Sequence, residues 1–128
     1  MANRWPARLM VSAGRDALTV TFEDGEAVTL SAEHLRVFTP SAERVGHGGA
    51  PLVIGGKRTV TLTRVEPVGN YAVRLVFSDG HDTGIYPLTG FDGMGAGQGA
   101  AFAQYEADLE ALGLSRDRPG AAPAPRKG

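Results

Sequence analysis

The chain has 128 residues and a formal net charge of −1, with 42% hydrophobic and 21% charged residues. These values suit one globular domain and provide no overall attraction to nucleic acid or an anionic membrane. It has no cysteine, which excludes disulfides, thiolate metal sites, a cysteine nucleophile and thiolate-held iron–sulfur clusters.

Met1–Pro6 leads directly into a strand-like segment with no apolar leader, and no run approaches the roughly 20 apolar residues of a membrane span. A cytoplasmic protein is the expectation. Leu9–Val11 reads as a first strand. Leu18, Val20 and Phe22 alternate with Thr19, Thr21 and Glu23, the period of a half-buried strand. Asp24-Gly25 supplies a tight turn, and Val28 and Leu30 continue the pattern in a returning strand. Ser31 can cap a short helix through about Arg36, since its hydroxyl accepts an orphan backbone N–H.

Phe38 to Gly56 is rich in glycine and proline and reads as a long loop. Arg58–Val65 reads as a strand, and Pro67 and Gly69 as a turn. Tyr71, Val73, Leu75 and Phe77 form the clearest alternating strand; Asp79-Gly80 turns it and Ile85-Tyr86 resumes it. Gly90–Gly99 reads as a flexible connector. Phe102, Tyr105, Leu109 and Leu112 then recur at helical spacing, giving a helix from about Ala100 to Leu112 closed by Gly113. From Ser115 the residues lose apolar periodicity and read as a disordered basic tail. The expected fold is α+β: a domain over 1–114, with a mostly antiparallel sheet from two similar hairpins, a short helix and a C-terminal helix. Residues 115–128 form the tail.

The two hairpins resemble one another. Leu18-x-Val20-x-Phe22-x-Asp24-Gly25 parallels Val73-x-Leu75-x-Phe77-x-Asp79-Gly80. This fits either an internal duplication or two independent amphipathic hairpins with the same turn chemistry.

Two glycine motifs fail on context. Gly95-x-Gly97-x-x-Ala100 has the outline of a dinucleotide fingerprint but lacks a parallel βαβ setting, so a connector is the better reading. Gly55-Gly56-Lys57-Arg58 lacks phosphate-loop spacing and more simply begins a strand. The histidines are His34, His47 and His81, and no Gly-x-Ser-x-Gly elbow is present, so no catalytic residue is assigned. His81 is the best candidate for chemistry, because Asp79 and Asp82 beside it would raise its basicity and orient it toward a metal. His47 in its glycine-flanked loop could join it. Two histidines and a carboxylate form a possible iron or zinc set, set against the plainer reading of a polar hairpin end.

Leu35–Glu43, Gly46-His47-Gly48, Val65–Val73 and Phe77–Tyr86 together resemble the small bacterial proteins of the DUF971 family. That family is also called the gamma-butyrobetaine hydroxylase-like N-terminal domain. The resemblance extends over about residues 8 to 117, including Tyr105 and Gly113–Asp117. In carnitine-synthesis dioxygenases, the resemblance implies, this domain precedes the catalytic iron domain and holds zinc through three cysteines and a histidine. Those positions fall here on Thr39, Ser41, Arg44 and His81, so three of four ligands are missing and neither the zinc site nor hydroxylase activity is expected. Related domains are fused to Mrp-type ATPases of iron–sulfur assembly.

The expectation is therefore a non-catalytic accessory or interaction domain without a certain cofactor. Its partner would be an iron-dependent enzyme or an Mrp-type ATPase, not nucleic acid or membrane. The alternatives are an iron- or zinc-binding protein using His81 with His47, Asp79 or Asp82, and an uncharacterised enzyme.

Overall fold

A computed structural model describes residues 5–39 and 52–123. Strands β1 (Pro6–Val11), β2 (Ala17–Phe22) and β3 (Ala27–Ser31) form an antiparallel sheet, followed by helix α1 (Ala32–Val37). Strand β4 (Leu52–Gly55) leads to a second antiparallel sheet of β5 (Leu62–Val68), β6 (Ala72–Phe77) and β7 (Gly84–Pro87). Helix α2 (Gly90–Ala111) follows, and strand β8 (Gly120–Pro123) returns to pair with β4. The fold is α+β and its strand pairings are antiparallel, as the period-two segments predict.

The alternation decides the packing. Leu18, Val20 and Phe22 point from β2 into the same core as Val73, Leu75 and Phe77 from β6, with Leu30, Leu62, Tyr86 and Phe91 closing it. A fully buried side chain of this kind contributes about 1.5–3 kcal/mol by leaving water. A smaller cluster of Val37, Val53, Tyr105 and Leu109 joins α1, β4 and α2.

The likeness of the two hairpins extends well beyond their turns. Leu18 faces Leu30 and Val20 faces Val28 in the first sheet; Val73 faces Tyr86 and Leu75 faces Gly84 in the second. The first strand of each sheet carries a register shift near its start, at Pro6/Arg8 and at Leu62/Arg64. Gly25 and Gly80 both take φ of 91°, where a Cβ is penalised. In each turn the aspartate Oδ1 accepts the amide two residues on, Glu26 at 3.0 Å and His81 at 3.1 Å. Two three-stranded units, each followed by a helix, thus repeat one design.

Five expectations are corrected, the last of them in the C-terminal segment. Helix α2 begins at Gly90, ten residues before the predicted Ala100, so the supposed connector is helical. Its glycines lower helix propensity, but a Cβ at Gly95 would meet Val28 at 2.9 Å, so the glycine there lets helix and strand approach. The fingerprint-like spacing thus serves packing. Part of the predicted loop, Leu52–Gly55, is strand β4, and Gly55-Gly56 ends that strand instead of beginning one. The next strand starts at Leu62, after a turn at Arg58-Thr59.

The predicted disordered tail is ordered over residues 115–123. Arg116 donates to both oxygens of buried Glu33, at 2.7 and 2.5 Å, and Arg58 donates to Asp117 at 2.5 Å. Strand β8 then completes a ladder with β4. Long-range ion pairing and strand pairing leave no local apolar period, so the segment looks featureless in sequence. A chain ending at Leu114 should lose about 3 kcal/mol of stability in urea unfolding, because Glu33 is left buried without its cation.

Candidate functional site

The residues singled out by sequence separate in space. Asp79 sits in the β6–β7 turn with its side chain 21% exposed. Its Oδ2 accepts from Arg36 Nε at 2.8 Å and from Lys57 Nζ at 2.5 Å. Its Oδ1 accepts the backbone N–H of His81. Burial pushes the carboxyl up, but Lys57, the His81 amide and Arg36 together outweigh burial and hold it at about 2. The carboxylate thus joins the end of α1, the approach to β5 and the β6–β7 turn.

His81 is buried, and its imidazole Nε2 lies 3.3 Å from the Thr39 hydroxyl. Its ring also packs near Phe77, 6.0 Å between centroids. Asp82 is exposed, and its carbonyl accepts from Arg74 Nη1 at 3.2 Å. His47 lies outside the described residues, as do Ser41 and Arg44. Among the described residues, no group of three His, Cys, Asp or Glu side chains could hold a metal ion. A zinc centre does not fit the two family ligand positions that are described: Thr39 offers a neutral hydroxyl, already beside His81 Nε2.

Sequence reasoning missed a second locality. A cleft of about 480 Å³ opens between the β2–β3 hairpin, the start of α1 and helix α2. His34 and Glu33 line it from α1, where the Ser31 hydroxyl caps the helix by accepting the His34 amide at 3.0 Å. Phe102 lines it from α2 and Arg116 from the segment beyond. The His34 ring stacks on Phe102, centroids 6.1 Å apart, and tilts against Phe38 at 4.6 Å. Burial lowers the His34 pKa, with Glu33 opposing that shift, so the ring is neutral near pH 7. The Arg116 guanidinium stands 5.1 Å over the Phe102 ring. One sequence signal was available here: a histidine three residues after the capping Ser31, on the helix's first turn.

The architecture is that of a small α+β module built from two similar three-stranded sheets. The gamma-butyrobetaine hydroxylase-like N-terminal domain matches residues 9–91, and the chain belongs to that family. Two solved structures, both NMR solution structures, are similar. One shares 36% identity over 91% of this chain and 92% of its own, with a TM-score of 0.78. The other shares 38% identity over 88% and 85%, with a TM-score of 0.75. A crystal structure of a DUF971-family protein of unknown function from Acidithiobacillus ferrooxidans shares 36% identity over 72% of this chain and 93% of its own, with a TM-score of 0.58. No curated protein matches the chain. Among the described residues, no helix is long and apolar enough to cross a membrane.

The Asp79 cluster sets a pH dependence. A folded-state pKa of about 2, below the ordinary 3.8, stabilises the fold fully above about pH 4, and that contribution fades as pH falls toward 2. The expected contribution is about 2 kcal/mol. In urea unfolding, the stability gap between wild type and Asp79→Asn should shrink by that amount between pH 5 and pH 2. A gap that stays constant would show that the carboxylate's charge is not what matters.

Proposed function

We propose that this chain is a non-catalytic accessory domain that docks on a partner protein, an iron-dependent enzyme or an Mrp-type ATPase of iron–sulfur assembly. The observation that carries the reading is the exposure of two large apolar residues of the second sheet and its turn. Ile85 on β7 is 44% exposed, and Tyr71 in the β5–β6 turn is 59% exposed. Ile85 stands opposite Arg74, which stands opposite Glu66. Glu66 accepts from Arg74 and pairs with Arg64 at 3.1 Å, so a charged row runs beside Ile85. Apolar side chains beside a polar border are the usual composition of a protein-docking patch.

The internal polar groups support the same reading. Asp79 accepts from both Arg36 and Lys57, and Glu33 accepts from Arg116. These pairs tie distant elements together, which is a structural use of charge. The iron connection rests on the resemblance set out above; the matching family is described as gamma-butyrobetaine hydroxylase-like, N-terminal.

The metal-binding alternative draws on the closeness of His81 and Asp79 in one turn. The Asp79 carboxylate would have to give up Arg36 and Lys57 to bind a cation. Elemental analysis and titration with Fe²⁺ and Zn²⁺ separate the readings. Stoichiometric metal, lost in His81→Ala, would favour the alternative.

The docking reading makes a direct prediction. The double variant Tyr71→Ser/Ile85→Lys should keep the wild-type melting temperature, since both residues are exposed. It should lose at least about tenfold in affinity for the partner, as loss of a contact hot spot does. Co-purification with the host's Mrp-type ATPase and with its iron-dependent hydroxylases, followed by calorimetry, measures this. Retention of neither by the wild-type chain would contradict the proposal.

A further inference from the structure

We propose that the cleft between the β2–β3 hairpin and helix α2 binds a primary ammonium group on a flexible stem, with His34 as a hydrogen-bond acceptor. This goes beyond the docking surface on the second sheet and does not depend on it.

The first observation is His34 itself. It is 3% exposed and lines the cleft, and its ring nitrogens have no hydrogen-bond partner among the described residues. The imidazole is therefore open to a donor that a ligand brings into the cleft. Because burial keeps the ring neutral, one nitrogen carries a lone pair and accepts.

The second observation is the sign of the surroundings. Asp16 and Glu33 line the cleft with carboxylates, and Ser31 adds a hydroxyl. The cation on the wall, Arg116, already directs Nε and Nη2 at Glu33. Two carboxylates against one guanidinium leave one negative charge. Helix α2, which forms the opposite wall, carries Asp92, Glu106, Asp108 and Glu110 and no lysine or arginine. An anion would have to separate Arg116 from Glu33, and an apolar ligand would leave the imidazole unpaired.

The third observation is Phe102. Its ring carries Arg116 at 5.1 Å and stacks on His34 at 6.1 Å, so it holds the guanidinium against Glu33 and the imidazole at the cleft wall, and leaves the acceptors to the ammonium. A compact ammonium with three N–H donors suits a site whose remaining groups are acceptors. The same chemistry is offered by a lysine side chain of another protein and by a free alkyl amine.

The test is an NMR titration of the ¹⁵N-labelled full chain with two probes, Nα-acetyl-lysine methylamide and 1,4-diaminobutane. Tetramethylammonium, which has charge but no N–H donor, is the control. Saturable shifts should be centred on Ser31, His34, Gln98 and Phe102, including the His34 ring nitrogens. Asp16→Asn should weaken binding about fivefold, the value of one exposed charge pair. His34→Phe keeps the aromatic stack, removes the acceptor, and should weaken binding at least about tenfold. Tighter binding of the lysine derivative would assign the site to a protein side chain, and tighter binding of the diamine to a free amine. Three results would each overturn the proposal: no saturable shift from either amine at about 10 mM, equal binding of tetramethylammonium, or binding unchanged in both variants.

Discussion

The ion pair between Glu33 and Arg116 is the interaction on which the rest of the structure depends. Glu33 is 5% exposed on a helix of six residues, a place where a lone carboxylate would be costly. Its partner comes from a segment 83 residues later, which would otherwise have little reason to lie against α1. Once Arg116 is fixed there, the chain on either side is constrained as well. Asp117 reaches Arg58, and β8 runs back along β4. The guanidinium also lies over Phe102, which sets one wall of the His34 cleft. Fold closure and cleft geometry therefore share one contact.

A second polar knot, at Asp79, plays the corresponding role on the other side of α1. Here one carboxylate gathers Arg36, Lys57 and the amide of His81. The family resemblance places a zinc ligand at His81 and a cysteine at the position of Thr39. In this chain those two positions meet as a hydroxyl and an imidazole 3.3 Å apart. The neighbouring ion pairs provide cross-links among elements of the kind a structural metal provides, and they do so without thiolates. The physical consequence is that cohesion in this region responds to acid through a carboxylate, where a thiolate centre would respond through its metal.

Much of the fold is legible in the sequence because it is written in local patterns. The alternation Leu18–Val20–Phe22 and Val73–Leu75–Phe77 marks the inner strands, and the two Asp-Gly pairs mark their turns. Ser31 announces α1 through its capping hydroxyl. What is not legible arises from distance. The first turns of α2 contain Gly93, Gly95, Gly97 and Gly99, and helix there is imposed by packing of Gly95 on Val28. The segment after Gly113 is held by partners from α1 and β4. Of the candidate site, sequence identified Asp79 and His81 as neighbours but could not show that Arg36 and Lys57, 43 and 22 residues away, occupy the carboxylate. His34 stands among the histidines without a role, because its place three residues after the capping Ser31 sets it on α1 and shows no cleft. Only the fold shows that its ring borders a cleft.

The most direct measurement is a double-mutant cycle across the central ion pair. Glu33→Gln, Arg116→Met and the double variant would be compared with wild type by urea unfolding at neutral pH. The account expects each single variant to be strongly destabilised and the double variant to recover part of the loss, with a coupling energy of about 2 kcal/mol. Additive losses, with coupling near zero, would show that Glu33 and Arg116 act separately and would contradict their place at the centre of the fold.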